Sequence, residues 1–100
     1  GLEGIGPQTT KERLAAAEAS AAGVINALAE LRDQGVIERG SDTEARIDKA
    51  VTAIDGLLDE AARLFAEGSP EKAEEWIKAA VASIGGLSDL VRRLEIGRSP

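Results

Sequence analysis

Acids and hydroxyls are the only side chains here whose spacing invites chemistry. Asp55 and Asp59 stand one helical turn apart, and Glu71, Glu74 and Glu75 crowd one short stretch. Paired carboxylates perform acid–base work when burial raises the pKa of one and leaves the other ionised. Ser83 and Ser88 would need a neighbouring base to become nucleophiles. The chain has no His, Cys or Tyr, so imidazole base, thiolate and phenol acid are all missing. A carboxylate metal centre in a helix bundle also needs Glu-x-x-His. No phosphate-cradling G-x-x-x-x-G-K-[ST] loop occurs. The acids are therefore expected on solvated faces, with Glu71 to Glu75 placed favourably at a helix N-terminus. The expectation is a non-enzymatic protein with no cofactor and no metal.

The elements that carry these residues follow from periodicity and caps. Thr9 and Glu12 have capping-box spacing, which starts a first helix near Thr10. Leu14, Ala17, Ala21, Val24, Leu28 and Leu31 then recur at 3-4 spacing, one face of a helix. Gly35 stops it, with Val36 and Ile37 expected to fold back over the bundle end. Ser41 and Glu44 form a second capping box. Ile47, Val51, Ile54, Leu58, Ala61 and Phe65 make the next stripe, ended by Gly68. Ser69 as N-cap and Pro70 at the first helical position open a third helix. Its stripe runs from Ala73 through Ile77, Ala80, Ile84 and Leu87 to Val91 and Leu94.

These signals predict helices over about 10–34, 42–67 and 70–95, an irregular leader over 1–8 and a tail over 97–100. Nearly equal lengths and short connectors imply antiparallel neighbours. The fold expectation is all-α: a single-domain antiparallel three-helix bundle, up-down-up, over residues 1–100. One hundred residues suffice for one core. Apolar residues make up 43%, but 18 residues are Ala and only Phe65 and Trp76 are aromatic. The core is therefore thin, and Trp76 is expected to plug one end of it.

Glycines interrupt this regularity. Gly23, Gly56 and the pair Gly85–Gly86 fall mid-helix, where each costs ~1 kcal/mol against alanine. With residues spaced around a helix at 3.6 per turn, Gly56 and Gly86 face outward while Gly23 and Gly85 lie on flanks. Ala15, Ala19, Ala22 and Asn26 line the outer surface of the first helix. Ala79 and Ala82 line that of the third. Smooth faces of this kind let another helix approach closely, from within the bundle, from a second copy or from a partner. Alanine also fills helix surfaces simply because it is a good helix former. The glycines are what propensity does not explain. Small residues at mid-height also offer room for an apolar ligand between helices.

Residues 50–59 and 80–89 repeat at an offset of 30, sharing Ala, Val, Ile, Gly, Leu and Asp in register. Two such units are too few for a solenoid. With its capping boxes and tight linkers, the chain also fits an idealised or designed bundle. Net charge is −6, concentrated on the middle helix. That balance opposes nucleic-acid binding, which draws on a basic surface. The sequence carries no run of ~18 apolar residues, so no membrane partner is expected and the protein reads as soluble.

One local resemblance is present. Leu2-Glu3-Gly4-Ile5-Gly6-Pro7-Gln8-Thr9, running into Lys11 and Arg13, resembles the hairpin and second-helix start of the helix-hairpin-helix DNA-binding family. The resemblance implies that Gly4 and Gly6 offer backbone N–H groups to a phosphate, with Lys11 and Arg13 nearby. It covers about a tenth of the chain, and the motif's first helix is missing.

The functional expectation is a helical scaffold or protein–protein interaction module that self-associates through small-residue faces. Its contact candidates are Ala15, Ala19, Ala22, Gly23, Asn26, Gly56, Ala79, Ala82, Gly85 and Gly86. Homo-oligomer or partner helix is the expected company. The alternatives are a small-molecule-binding bundle with a mid-height apolar cavity, and a fragment of a DNA-binding protein.

Overall fold

The computed structural model describes residues 7–98. Helix α1 spans Pro7–Asp33, α2 spans Asp42–Ala66 and α3 spans Pro70–Arg98. Each helix packs against both others, with α2 and α3 the most extensively joined and α1 and α2 the least. The result is an all-α three-helix bundle, a rod of 53 × 24 × 16 Å.

The connectors show why the helices stop where they do. At the end of α1, Val36 N–H donates to Leu31 O at 2.9 Å and Gly35 N–H to Arg32 O at 3.0 Å. At the end of α2, Ser69 N–H donates to Leu64 O at 2.9 Å and Gly68 N–H to Phe65 O at 3.0 Å. Both are Schellman motifs, which need a residue in the left-handed region. Gly35 supplies it at φ 78° and Gly68 at φ 87°. Ile37 is buried, and Val36 packs against the same end of the core. Ser41 Oγ accepts from Glu44 N–H at 3.1 Å to open α2. Glu44 reaches back one residue further than the usual capping box does. Its Oε1 accepts from Gly40 N–H at 2.8 Å. The Arg32 guanidinium ties α1 to α2 through Asp48 at 2.5 Å and Glu44 at 3.6 Å.

Helix ends differ from the sequence expectation in two places. α1 begins at Pro7, not near Thr10, so Thr9 and Glu12 lie inside the helix and form no capping box. Gln8 Nε2 instead donates to Glu12 across one turn, at 3.4 Å. α3 continues through Gly97 to Arg98, because glycine ends a helix only when the chain turns left-handed there, and Gly97 does not. The leader and tail thereby shrink. Residues 1–6, with Leu2 and Ile5, and residues 99–100 lie outside the described part.

The core is a column of Leu, Ile and Val with alanines between the helices. Leu28, Leu31 and Ile47 are almost fully covered, and Ala61, Ala73 and Ala80 have no exposed surface at all. Those alanines let the rods close on a core with few large side chains. Trp76 departs from expectation: it is 39% exposed and rests beside Leu64 on the α2 side of α3, so it does not plug the bundle end. Phe65 is half-buried against the core.

Candidate functional site

The ten small or polar candidates do not form one surface. Gly23 and Gly85 come together in an open groove of about 540 Å³ along the α1–α3 seam, beside Val24, Ala27, Val81 and Ser88. Nothing lining that groove carries a charge. It continues past Ser20 and Val81 into a second trough of about 440 Å³, where Arg13, Glu74 and Lys78 add charge. Gly86 lies on the other flank of α3, in an α2–α3 groove with Arg46, Ala50 and Arg93. Gly56 is exposed on α2. Ala15, Ala19, Ala22 and Asn26 are exposed on α1, as are Ala79 and Ala82 on α3.

The glycines do not serve close packing inside the bundle. A Cβ built on Gly23, Gly56, Gly85 or Gly86 meets nothing within 4 Å. Close approach of a helix from within the bundle is therefore absent at these positions. The helix spacing is set by the buried alanines Ala61, Ala73 and Ala80 instead. The α1–α3 groove is open to solvent, so the mid-height space is a surface trough and not an enclosed cavity.

Sequence reasoning missed a polar cluster at the lower end of that seam. Glu74 was expected on a solvated face with Glu71 and Glu75, yet it is only 5% exposed. Its Oε1 accepts from Arg13 Nη1 at 3.0 Å, and its Oε2 has no partner among the described residues. Thr10 is completely buried, and its Oγ1 also lacks a partner among the described residues. The one available signal for Thr10 was position, one turn ahead of Leu14 on the core stripe. A buried hydroxyl without a hydrogen bond costs about 1–3 kcal/mol, while its methyl group packs well. Thr10→Val keeps the shape and removes the hydroxyl, so it is expected to raise unfolding free energy by about 1 kcal/mol. Chemical denaturation followed by circular dichroism measures this. A loss of stability would mean that the hydroxyl is bonded.

The other acids behave as solvated side chains. Asp55, Asp59, Glu71 and Glu75 are exposed, as is Ser83. On α2, hydrogen bonds and charge from Arg63 hold Glu60 below the usual carboxylate range, and Glu60 with Glu67 raises the Arg63 guanidinium above its ordinary value. Both groups are at the surface, and this network is a local helix brace. Among the described residues no acid cluster is arranged to hold a metal ion.

Helix α1 adds one correction. Over an 18-residue stretch its mean hydropathy is 1.3, and only 28% of that stretch is buried. By length and composition alone it is apolar enough to cross a bilayer, contrary to the expectation that no segment would be. Alanine is its commonest apolar residue, and core helices of soluble proteins reach the same apolarity. The hairpin glycines Gly4 and Gly6 lie outside the described residues. Of the two cations that follow them, Arg13 is engaged by Glu74 and Lys11 is exposed. No protein-family model, curated protein or solved structure matches this chain.

Proposed function

We propose that this protein is a non-enzymatic helical interaction module that self-associates through the small-residue faces of its helices. The supporting observation is the open space beside all four mid-helix glycines. Each costs helix stability, and none gains a compensating contact among the described residues. A neighbouring helix from outside would use that space, because a side-chain-poor face lets backbones approach to short interaxial distance. Sedimentation analysis at about 100 μM, the range of weak transient contacts, tests this directly. A dimer or larger species supports it, and a monomer removes self-association. Gly86→Leu is expected to weaken any oligomer while leaving helicity intact.

A second reading has one observation in its favour. The α1–α3 groove is uncharged and holds about 540 Å³. That is within the size of small-molecule sites, which are mostly apolar. Uptake of an environment-sensitive apolar dye by the native monomer, abolished by Gly23→Leu, would favour it.

A further inference from the structure

The solvent face of α3 carries an ordered charge array that the bundle leaves largely unpaired. Glu71, Glu75, Lys78 and Ala82 follow one another at 4-3-4 spacing, and Gly85, Asp89, Arg92 and Ile96 continue the same stripe at 4-3-4. All are exposed, and Ile96 is 65% so. Alternating steps of three and four residues keep these side chains on one face of the helix, here charged with a small-residue centre. The stripe borders the α1–α3 groove at Lys78 and Gly85 but holds none of the buried core, so docking there opens neither existing seam.

We propose that a second copy of this chain docks on that stripe, its α3 antiparallel to the first, about a two-fold axis between Ser83 and Ile84. The inference rests on the self-association reading and adds the face and the register. Reversing α3 about that midpoint lays the stripe on itself. Glu75 then faces Arg92 of the second copy, Lys78 faces Asp89, and Ala82 faces Gly85. Both charged pairs on the stripe are thus of opposite sign, and at its ends Glu71 meets Ile96. A parallel pair in register would instead set Glu75 on Glu75 and Arg92 on Arg92. Charge patterns of this kind select orientation and partner.

The centre of the array is where side chains are smallest. Ala82 and Gly85 flank the proposed axis, and backbones of crossing helices come nearest at such a point. The flanking charges have little to lose. Glu75 and Lys78 make no ion pair among the described residues, and Arg92 makes only a loose one to Asp89 at 3.7 Å, with both side chains exposed. Exposed ion pairs are individually weak, so the association is modest and falls as salt rises from about 0.05 to about 0.5 M.

Two variants test the register. One carries Glu75→Lys and Asp89→Lys, making its stripe basic on both sides of the axis. The other carries Lys78→Glu and Arg92→Glu, making it acidic. Circular dichroism confirms that each remains helical. Sedimentation is expected to show association of the parent chain, at least roughly a tenfold loss in each variant alone, and recovery in their equimolar mixture. A parent chain that is monomeric at about 100 μM overturns the self-association reading and this inference with it. An oligomeric parent whose variants associate equally well leaves self-association standing and overturns the α3 face. Variants that dissociate without recovering in the mixture overturn the antiparallel register.

Discussion

A chain with alanine at Gly23, Gly56, Gly85 and Gly86 is expected to unfold with about 2–4 kcal/mol more free energy than the parent. The argument is steric and entropic. None of the four has a positive φ, so the backbone at each is open to an L side chain. An added methyl group meets nothing within 4 Å, so it costs no packing. Alanine also narrows the unfolded ensemble, worth about 0.4–1 kcal/mol per site. For a domain of this size, each kcal/mol moves Tm by about 4–8 °C. Denaturant unfolding at low protein concentration reads the effect without a contribution from association. Gly35 and Gly68 lie in the left-handed region, where a Cβ is crowded. Gly35→Ala and Gly68→Ala therefore have the opposite sign, losing about 1–2 kcal/mol. A quadruple variant no more stable than its parent would show that the four mid-helix glycines serve the bundle itself.

Leu28→Ala is expected to remove about 3–4 kcal/mol, a large part of the stability of a small domain. Leu28 is 2% exposed in a core with few large side chains. Its loss combines lost burial with a cavity that alanine-rich neighbours are poorly shaped to refill. The seam between α1 and α2 is also the least extensive of the three, so a defect on the inner face of α1 has few other contacts to compensate. Leu94, half-buried near the end of α3, provides the comparison. Leu94→Ala is expected to lose about 1–2 kcal/mol. The same unfolding measurement serves both. Equal losses at the two positions would mean that α1 does not anchor the core.

Most of the fold could be read from local signals. Ser41 caps α2 through its hydroxyl, Pro70 opens α3, and Gly35 and Gly68 turn the chain left-handed, each where its own chemistry places it. Ile47, Ile54, Ile77 and Ile84 are buried as their spacing requires. The failures have a different character. Thr9 with Glu12 matches a capping box by letters, but Pro7 already starts the helix, and an interior Thr caps nothing. Glu74 and Trp76 sit on opposite flanks of the α3 core line. Which flank meets α1 and which meets α2 depends on the handedness of the bundle, a property that hydrophobic spacing leaves open. Glu74 ended on the α1 side, under Arg13, and Trp76 on the α2 side, half in water. The candidate contact residues show the same limit. Their outward direction followed from helix geometry, but their division between separate seams and faces needed all three helices in place.

An odd number of antiparallel helices joined by tight turns has a mechanical consequence. Helix α1 starts at one tip of the rod and α3 finishes at the other. The separation is about 40 Å, the length of one such helix at its fixed rise per residue. Whatever is joined at the two tips is held apart by a stiff strut. A pull between them loads the helix seams along their length, shearing them instead of peeling them open.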